Sequence, residues 1–266
     1  MIVKLESLVR RNRFNLAMVI PTIGAILLIA SSESMLPNLI SFNPYIILMG
    51  TALMRLPLIV MVIPLINKKN GFLLILLTVY VYAIEFIGIT HGWPYGEFTY
   101  LIELGPMVSG VPMGLPLFFI PLVLNGYLLA VLIVKRAMLD WKFVIPISIL
   151  LVIVIDLVLD PAAVKLGFWS YSGGGASFYG VPYSNYKGWL LSGFISVFFI
   201  HVMFGKDAIL QRLENCEFGL DDLISFIVLW GIVNLYYNNW IPGIISGGIF
   251  IILIGVGWIK WQWLNK

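Results

Sequence analysis

The chain has 266 residues, of which 61% are hydrophobic and only 11% charged, whereas soluble domains are about half apolar and about a quarter charged. A soluble fold cannot hide so much apolar surface, so the composition excludes an ordinary soluble protein and indicates one surrounded by lipid. The net charge of +3 comes from Lys and Arg grouped at loops and termini, which favours a topology-setting role over nucleic-acid binding. One cysteine and two histidines exclude a disulfide framework, a cysteine metal site and a His-rich metal site.

Apolar runs follow one another along the chain, separated by polar or Gly/Pro-rich breaks. As helices, runs of about 20 residues cross the ~30 Å hydrocarbon core of a bilayer. We therefore predict an all-α polytopic membrane protein with about eight transmembrane helices, forming a single transmembrane domain over residues 1–266. The predicted spans are 14–31, 45–66, 72–90, 114–134, 143–160, 188–205, 223–240 and 244–259. The last two form a C-terminal helix pair, and the first has a signal peptide as its alternative, because basic residues precede it and Ala30 and Ser32 are small.

Basic residues lie on alternate sides of the predicted spans. With a cytoplasmic N-terminus, the inner segments carry thirteen Lys and Arg residues and the outer segments only Lys165 and Lys187, while Arg55 lies inside a span. The thirteen are Lys4, Arg10, Arg11, Arg13, Lys68, Lys69, Lys135, Arg136, Lys142, Lys206, Arg212, Lys260 and Lys266. Cytoplasmic loops are enriched in Lys and Arg. We therefore predict a multi-pass cell-membrane protein with both termini cytoplasmic and with loops 91–113 and 161–187 outside.

Two stretches in the middle of the chain resemble each other, at about 72–134 and 143–205. The matched residues are Glu85 with Asp156, Gly96 with Gly167, Phe98 with Trp169, Thr99 with Ser170, Tyr100 with Tyr171, and Gly110-Val111-Pro112 with Gly180-Val181-Pro182. Each copy holds two spans, so both copies have the same orientation and the pattern predicts a parallel internal repeat of helix pairs. A pseudo-twofold axis along the membrane normal would bring the two matched acids close together.

Three acids lie inside predicted spans or at their ends. Glu85 and Asp156 are each about five residues from an outer helix end, roughly 7 Å along the helix, and Asp160 lies on the same helix face as Asp156. Charged side chains are costly in lipid and commonly mark a functional interior site. The alternative is structural: the acids would pair with Arg55 or accept hydrogen bonds from the loops.

The predicted outer loops are rich in aromatic residues. They are Trp93, Tyr95, Phe98, Tyr100, Phe168, Trp169, Tyr171, Phe178, Tyr179, Tyr183, Tyr186 and Trp189. An interfacial aromatic belt explains part of this pattern. The run Gly173-Gly174-Gly175 and the two Gly-Val-Pro segments indicate loops that fold back over the helix ends, where aromatic faces could stabilise a cation.

Five asparagines lie at or near the spans: Asn125, Asn185, Asn234, Asn238 and Asn239. Hydrogen bonding between helices is the default role of such residues.

Two segments resemble the carotenoid biosynthesis membrane protein family, of the carotenoid-hydratase type. They are Asp156–Tyr171 with its continuation Tyr179–Trp189, and Gly92–Tyr100 with its continuation Gly105–Pro112. The resemblance covers about residues 70–205, and Phe98 stands where the family pattern has Tyr. It implies cofactor-free addition of water to the terminal C=C bond of a linear carotenoid in the bilayer, giving a tertiary alcohol. Other carotenoid-pathway membrane enzymes are further candidate partners.

Hydration of an alkene needs a protonated acid, a pocket that tolerates a tertiary carbocation and a base that directs water. Burial disfavours the charged form of a carboxyl group, which suits such an acid. The candidate catalytic residues are Asp156, Asp160 and Glu85, followed by Glu97, Glu103 and His91. The candidate substrate-binding residues are Trp169, Tyr171, Tyr100, Trp93, Asn185 and Trp189.

Three alternatives remain open at the level of sequence. Capture of the same cation by an internal double bond would make the chain a carotenoid end-group cyclase. Without catalysis, it could be a carotenoid- or lipid-binding protein or a small transporter. A transporter would carry charged residues along a whole path, whereas here the acids cluster.

Overall fold

The computed structural model describes residues 2–173 and 177–259, which contain ten α-helices. In chain order they are α1 Ile2–Arg11, α2 Ile20–Ser32, α3 Pro44–Val62, α4 Lys68–His91, α5 Leu115–Arg136, α6 Val144–Leu166, α7 Tyr183–Met203, α8 Lys206–Asn215, α9 Asp221–Tyr236 and α10 Trp240–Gly255. A π-helical turn, Asn15–Val19, precedes α2, and 3-10 turns follow α3 and precede α6. Gly174 and Gly175 of the glycine run, and Lys260 and Lys266 of the charge count, lie outside the described residues.

Six of the described helices are long and apolar enough to cross a membrane: α2 with its π-helical turn, and α3 to α7. Each of the eight predicted spans coincides with a helix, but α9 and α10 have only 16 residues each. At 1.5 Å per residue they are about 24 Å long, less than the ~30 Å hydrocarbon core. The chain is therefore a helical membrane protein, and the expected number of about eight spans is approximate.

Helix α6 is longer than the sequence predicted. It continues through Pro161 and ends at Leu166, where Gly167 has a φ of 74°, and α7 begins at Tyr183 rather than near residue 188. The intervening loop therefore spans 167–182, not 161–187. Around Pro161, the neighbouring helix α9 supplies a donor to the α6 backbone: Asn234 Nδ2 donates to the Val158 carbonyl at 2.8 Å.

Helix α5 lies at the centre of the bundle. It is buried along most of its length, and it packs against α6 through Gly126. A Cβ at Gly126 would lie 3.0 Å from Val152 Cγ2 of α6, and a Cβ at Gly193 of α7 would lie 3.3 Å from Val152 Cγ1. Small residues therefore let α5, α6 and α7 approach closely, as is common in membrane helix packing.

A buried ion pair joins α3 to α9. Arg55 Nη1 lies 2.7 Å from Asp222 Oδ1, and Asn125 Nδ2 of α5 donates to Asp222 Oδ2 at 2.5 Å. At the start of α9, Arg13 Nε lies 2.7 Å from Asp221 Oδ2. The preceding helix, α8, ends at Asn215, and both acids are buried at the start of α9.

Short strands fold the connecting loops over one end of the bundle, called here the strand end. They are β1 Phe98–Tyr100, β2 Met107–Val108, β3 Val111–Pro112, β4 Trp169–Tyr171, β5 Ser177–Phe178 and β6 Val181–Pro182. Strands β1 and β4 pair antiparallel, with Thr99 opposite Ser170. Strands β2 and β3 form one hairpin, and β5 and β6 form another.

The two Gly-Val-Pro segments form matching hairpins. The turn residues have positive φ in both: 51° and 81° at Ser109 and Gly110, and 52° and 84° at Tyr179 and Gly180. Two successive positive φ values are typical of the tight turns that connect antiparallel strands. Each glycine is therefore required by its turn, and the Val-Pro that follows is the returning strand.

Candidate active site

Two acid–tyrosine pairs lie beneath the strands. Tyr100 Oη donates to Glu85 Oε1 at 2.5 Å, and Tyr171 Oη donates to Asp160 Oδ2 at 3.0 Å. The acids belong to α4 and α6, whereas the tyrosines belong to β1 and β4. The β1–β4 ladder therefore ties the two loops together and holds each hydroxyl over the acid of its own helix.

Asn185 connects two of the acids. Its Nδ2 donates to Asp160 Oδ2 at 2.5 Å and to Asp156 Oδ2 at 3.1 Å. Asp156, Asp160 and Asn185 expose 0%, 4% and 3% of their surface, so all three are removed from bulk solvent. One amide group from α7 thus bridges two carboxyl groups one helical turn apart on α6.

No ion pair within 2–173 and 177–259 involves any of the three site acids. Arg55, the residue that sequence offered as their structural partner, pairs with Asp222 instead. The pairing of these acids with Arg55 is therefore wrong. The hydrogen bonds from the loops, which the same structural alternative expected, are present from Tyr100 to Glu85 and from Tyr171 to Asp160. Buried acids without a cationic partner are rare inside membranes and are characteristic of functional sites.

A cavity of about 110 Å³ lies between the two acid–tyrosine pairs. Its lining residues are Glu85, Tyr95, Phe98, Tyr100, Leu104, Pro112, Leu115, Phe118, Phe119, Leu122, Leu159, Asp160, Phe168, Trp169, Tyr171, Asn185, Trp189 and Trp230. An apolar cavity of about 150 Å³ accommodates benzene, so this one fits roughly the last four carbons of an apolar chain. Its size suits the end of a long molecule.

Aromatic rings form most of the cavity wall. The Phe119 and Trp189 rings stack at a centroid distance of 4.8 Å, and Phe98 lies 5.9 Å from the rings of both Tyr100 and Tyr171. Ring faces attract cations through their quadrupoles. Except for its carboxyl, amide and hydroxyl groups, the cavity is thus apolar and suited to a carbocation.

The two strand tyrosines stay neutral. Burial raises the pKa of the Tyr100 and Tyr171 hydroxyls well above the usual range, and the neighbouring carboxyl groups raise it further. Both phenols therefore keep their protons and act as hydrogen-bond donors to Glu85 and Asp160.

Seven of the residues selected from sequence line the cavity, and five do not. The seven are Glu85, Asp160, Trp169, Tyr171, Tyr100, Asn185 and Trp189. Asp156 lies behind the cavity, in contact with Asn185. His91, Glu97, Glu103 and Trp93 are exposed at the strand end. There His91 Nδ1 lies 2.7 Å from Thr90 Oγ1, and Glu97 accepts a hydrogen bond from Ser172.

In its distance from the helix end and in its tyrosine partner, Glu85 matches Asp160 rather than Asp156, the residue that the sequence pattern paired with it. Glu85 precedes Gly92, the left-handed residue that ends α4, by the same seven positions that separate Asp160 from Gly167, which ends α6. Both Glu85 and Asp160 also accept a hydrogen bond from a strand tyrosine. Asp156 is ten residues from the end of α6, about 15 Å along the axis. The sequence pattern pairs Glu85 with Asp156 because Gly92 lies six residues before β1, whereas Gly167 lies only two residues before β4.

Several cavity residues were not selected from sequence. Phe119 and Trp230 come from the interiors of α5 and α9, and in an apolar run they cannot be told from lipid-facing residues. Tyr95 appeared only as one loop aromatic among many, yet its ring is buried between α4 and α7. The sequence signal for this position was the pair Gly88 and Gly188, because only residues without a side chain leave room for the Tyr95 ring between the two helices.

A family model described as "Carotenoid biosynthesis protein" matches residues 42–254. The chain belongs to this family. Every residue of the cavity wall lies within the match, and the resemblance seen in the sequence motifs is confirmed. The chain is 48% identical over 238 residues to a protein of Haloarcula japonica named bisanhydrobacterioruberin hydratase, with 89% of this chain and 80% of that protein covered. No solved structure matches the chain.

Proposed function

We propose that this protein is a carotenoid hydratase, a hydro-lyase that adds water across the terminal C=C bond of a linear carotenoid. The observation that carries the proposal is the buried aromatic cavity with two tyrosine-bonded acids and no cationic partner in the described chain. The name of the Haloarcula relative, a hydratase of bisanhydrobacterioruberin, supports the same reaction. Family membership supports a carotenoid substrate.

Asp160 is the proposed proton donor. It faces the cavity and shares the Asn185 amide with Asp156. If both carboxyl groups bonded to this amide were charged, with no cation between them, they would repel strongly in a medium of low dielectric constant. The pair is therefore assigned one transferable proton, which Asp160 delivers to the CH carbon of the terminal double bond.

Proton transfer leaves a cation on the adjacent tertiary carbon. The ring faces of Trp169 and Trp189 and the carboxylate of Glu85, held by Tyr100, stabilise this charge. A water oxygen then bonds to the cationic carbon and loses a proton, which returns to the Asp156–Asp160 pair. One water is consumed, the acid is regenerated and the product is a tertiary alcohol, so no step needs a cofactor.

The cavity volume implies how the substrate binds. About 110 Å³ admits only the end group, so the polyene would extend from the cavity between helices or into lipid.

We also propose that the strand end faces the outside of the cell membrane and that both termini face the cytoplasm, because Lys and Arg are concentrated in the segments on the side of the termini. The helix pairs 72–134 and 143–205 are proposed to be duplicated copies.

The test is expression in a host that makes linear carotenoids, with chromatography and mass spectrometry of the pigments. The wild type is expected to yield a product heavier by one water, and Asp160→Asn, which keeps size but lacks the proton, about 10²–10⁴-fold less per protein. Glu97→Gln is the matched control, because Glu97 is exposed. A cyclised product of unchanged mass would identify a cyclase, and unchanged pigment would indicate binding or transport. Normal hydration by Asp160→Asn would refute this site.

A further inference from the structure

A second group of polar atoms lies next to the cavity, and the steps above leave it unused. It comprises the Tyr95 hydroxyl, the Ser192 hydroxyl and Asp156 Oδ1. All three atoms are buried, and within the described ranges none makes a hydrogen bond of normal geometry. Buried polar groups nearly always have a partner, from protein or from ordered water. Tyr95 lines the cavity, and its hydroxyl lies beside Ser192 and within electrostatic range of Asp156. These atoms are therefore a place for a hydrogen-bonding ligand.

The ring of Tyr95 is fixed in place by its neighbours. A Cβ at Gly188 of α7 would lie 2.5 Å from Tyr95 Cδ1, and a Cβ at Gly88 of α4 would lie 3.0 Å from Cδ2, so the ring fills the gap between these helices. It also contacts Phe98 and Trp189, at centroid distances of 6.3 and 6.2 Å. The ring forms part of the cavity wall, and its position is set by packing.

The hydroxyl of Tyr95 lies beside Ser192 and within electrostatic range of Asp156 and Glu85. Burial raises the pKa of Tyr95 well above the usual range, and the charges of Glu85 and Asp156 raise it further. The phenol therefore stays neutral, and it can both donate and accept a hydrogen bond. A neutral hydroxyl that is adjacent to a carboxyl group can orient a water molecule without competing for its proton.

Ser192 belongs to a polar stripe on α7. Asn185, Ser192 and Ser196 follow at spacings of seven and four residues, which places them on one helix face, and all three are buried. The stripe starts at the amide that bridges the two aspartates and continues away from the strands into the bundle. Ser196 Oγ, like Ser192 Oγ, has no hydrogen-bond partner in the described part of the chain.

We propose that Tyr95, Ser192 and the second oxygen of Asp156 hold the water molecule that captures the carbocation. This inference rests on the proposed hydratase function and specifies where its second substrate binds. A buried water makes about three hydrogen bonds, the number that these three atoms offer. Asp160 lines the cavity, whereas this water lies on the Asp156 side. The proton and the water therefore come to adjacent carbons from different groups.

Asp156 is then the base of the reaction. As the water oxygen bonds to the tertiary carbon, one water proton passes to Asp156 Oδ1 and the other remains in the product hydroxyl. The Asp156–Asp160 pair thereby recovers the proton that Asp160 gave to the alkene, and the shared Asn185 amide keeps the two carboxyl groups in register. No oxidant, reductant or further reactant is required.

The experiment separates protonation from water capture. Membranes containing the wild type, Tyr95→Phe or Ser192→Ala are incubated with linear carotenoid in D₂O, and hydrated product and deuterium in recovered alkene are both measured. Each variant is expected to lower hydrated product per protein roughly tenfold, the effect of losing one hydrogen bond. Deuterium uptake into the alkene should persist, because the cation still forms and loses a proton again. Tyr127→Phe and Ser148→Ala are the controls, since these buried hydroxyls have other partners, His201 and the Val144 carbonyl.

Each remaining outcome decides the proposal. Wild-type amounts of hydrated product from both variants would overturn it. Product and deuterium uptake that fall together by the same factor would also overturn it, because they would show a structural role. Absence of hydrated product from the wild type would instead overturn the hydratase function itself, so the two failures are distinguishable.

Discussion

Replacing Gly188 by alanine tests whether the packing of Tyr95 positions the site. The new Cβ would lie 2.5 Å from Tyr95 Cδ1 and 3.0 Å from the Pro94 carbonyl carbon and oxygen, against an ordinary contact of about 3.5–4.0 Å. The overlap includes backbone atoms that cannot rotate away, so the 93–97 loop and the tyrosine must move. Overpacking of this kind costs about 1–3 kcal/mol, and alanine regains up to about 1 kcal/mol as the better helix former.

We expect Gly188→Ala to lower the thermal midpoint in detergent by several degrees and to reduce hydrated product per folded protein. Gly247→Ala is the matched control, because nothing lies within 4 Å of a Cβ at Gly247 in α10. It should leave activity unchanged and leave the midpoint unchanged or slightly higher. Gly188→Ala with wild-type stability and wild-type product would show that Tyr95 is not held as described.

Three further predictions follow from contacts elsewhere in the chain. Tyr171→Phe removes the hydrogen bond to Asp160 and is expected to lower product formation about tenfold; an unchanged pigment profile would contradict it. Arg55→Met leaves Asp222 buried and unpaired and should cost about 3–5 kcal/mol of stability, which Arg55→Met with Asp222→Leu should largely recover; thermal midpoints of both variants decide this. A cysteine at exposed Glu103 should react with a membrane-impermeant reagent in whole cells, since the native Cys216 is buried; reaction only after lysis would contradict the proposed topology.

The sequence indicated the membrane helices and the family because both depend on local patterns. Apolar runs and the two loop motifs are visible without any knowledge of contacts, and most of the cavity's polar and aromatic groups belong to those motifs. The end of α6 was predicted wrongly, since a membrane helix can continue through a proline when neighbouring helices bind its backbone. The contact of Asn234 in α9 with the Val158 carbonyl of α6 is of this kind, and no local pattern contains it.

The site and core residues contributed by helices distant in sequence could not be predicted from the sequence either. Asp222 follows a polar stretch of the sequence, yet it is fully buried against Arg55. Trp230 reaches the cavity from the same helix. In both cases the role of the side chain depends on which helices pack together. The spacing of residues along the chain does not reveal that α9 packs against α3 and α6.

The two halves of the site differ in a way that bears on the proton donor. If the helix pairs are duplicated copies, the C-cap glycines place Val81 where α6 has Asp156, and the Gly-Val-Pro turns place Leu115 where α7 has Asn185. Glu85 thus accepts a hydrogen bond from Tyr100, but it has neither a second carboxyl group beside it nor an amide that bridges two acids.

Asp160 can share a proton with Asp156 and recover it after the reaction, whereas Glu85 has no such partner. Asp160→Asn should therefore lower activity more than Glu85→Gln. Glu85→Gln removes a charge that stabilises the cation and should lower hydrated product less, by about 10²-fold, while Asp160→Asn should also abolish deuterium uptake from D₂O. Pigment analysis of the two variants, normalised to protein, makes the comparison. A Glu85→Gln variant that loses deuterium uptake while Asp160→Asn retains it would reverse the assignment and make Glu85 the donor.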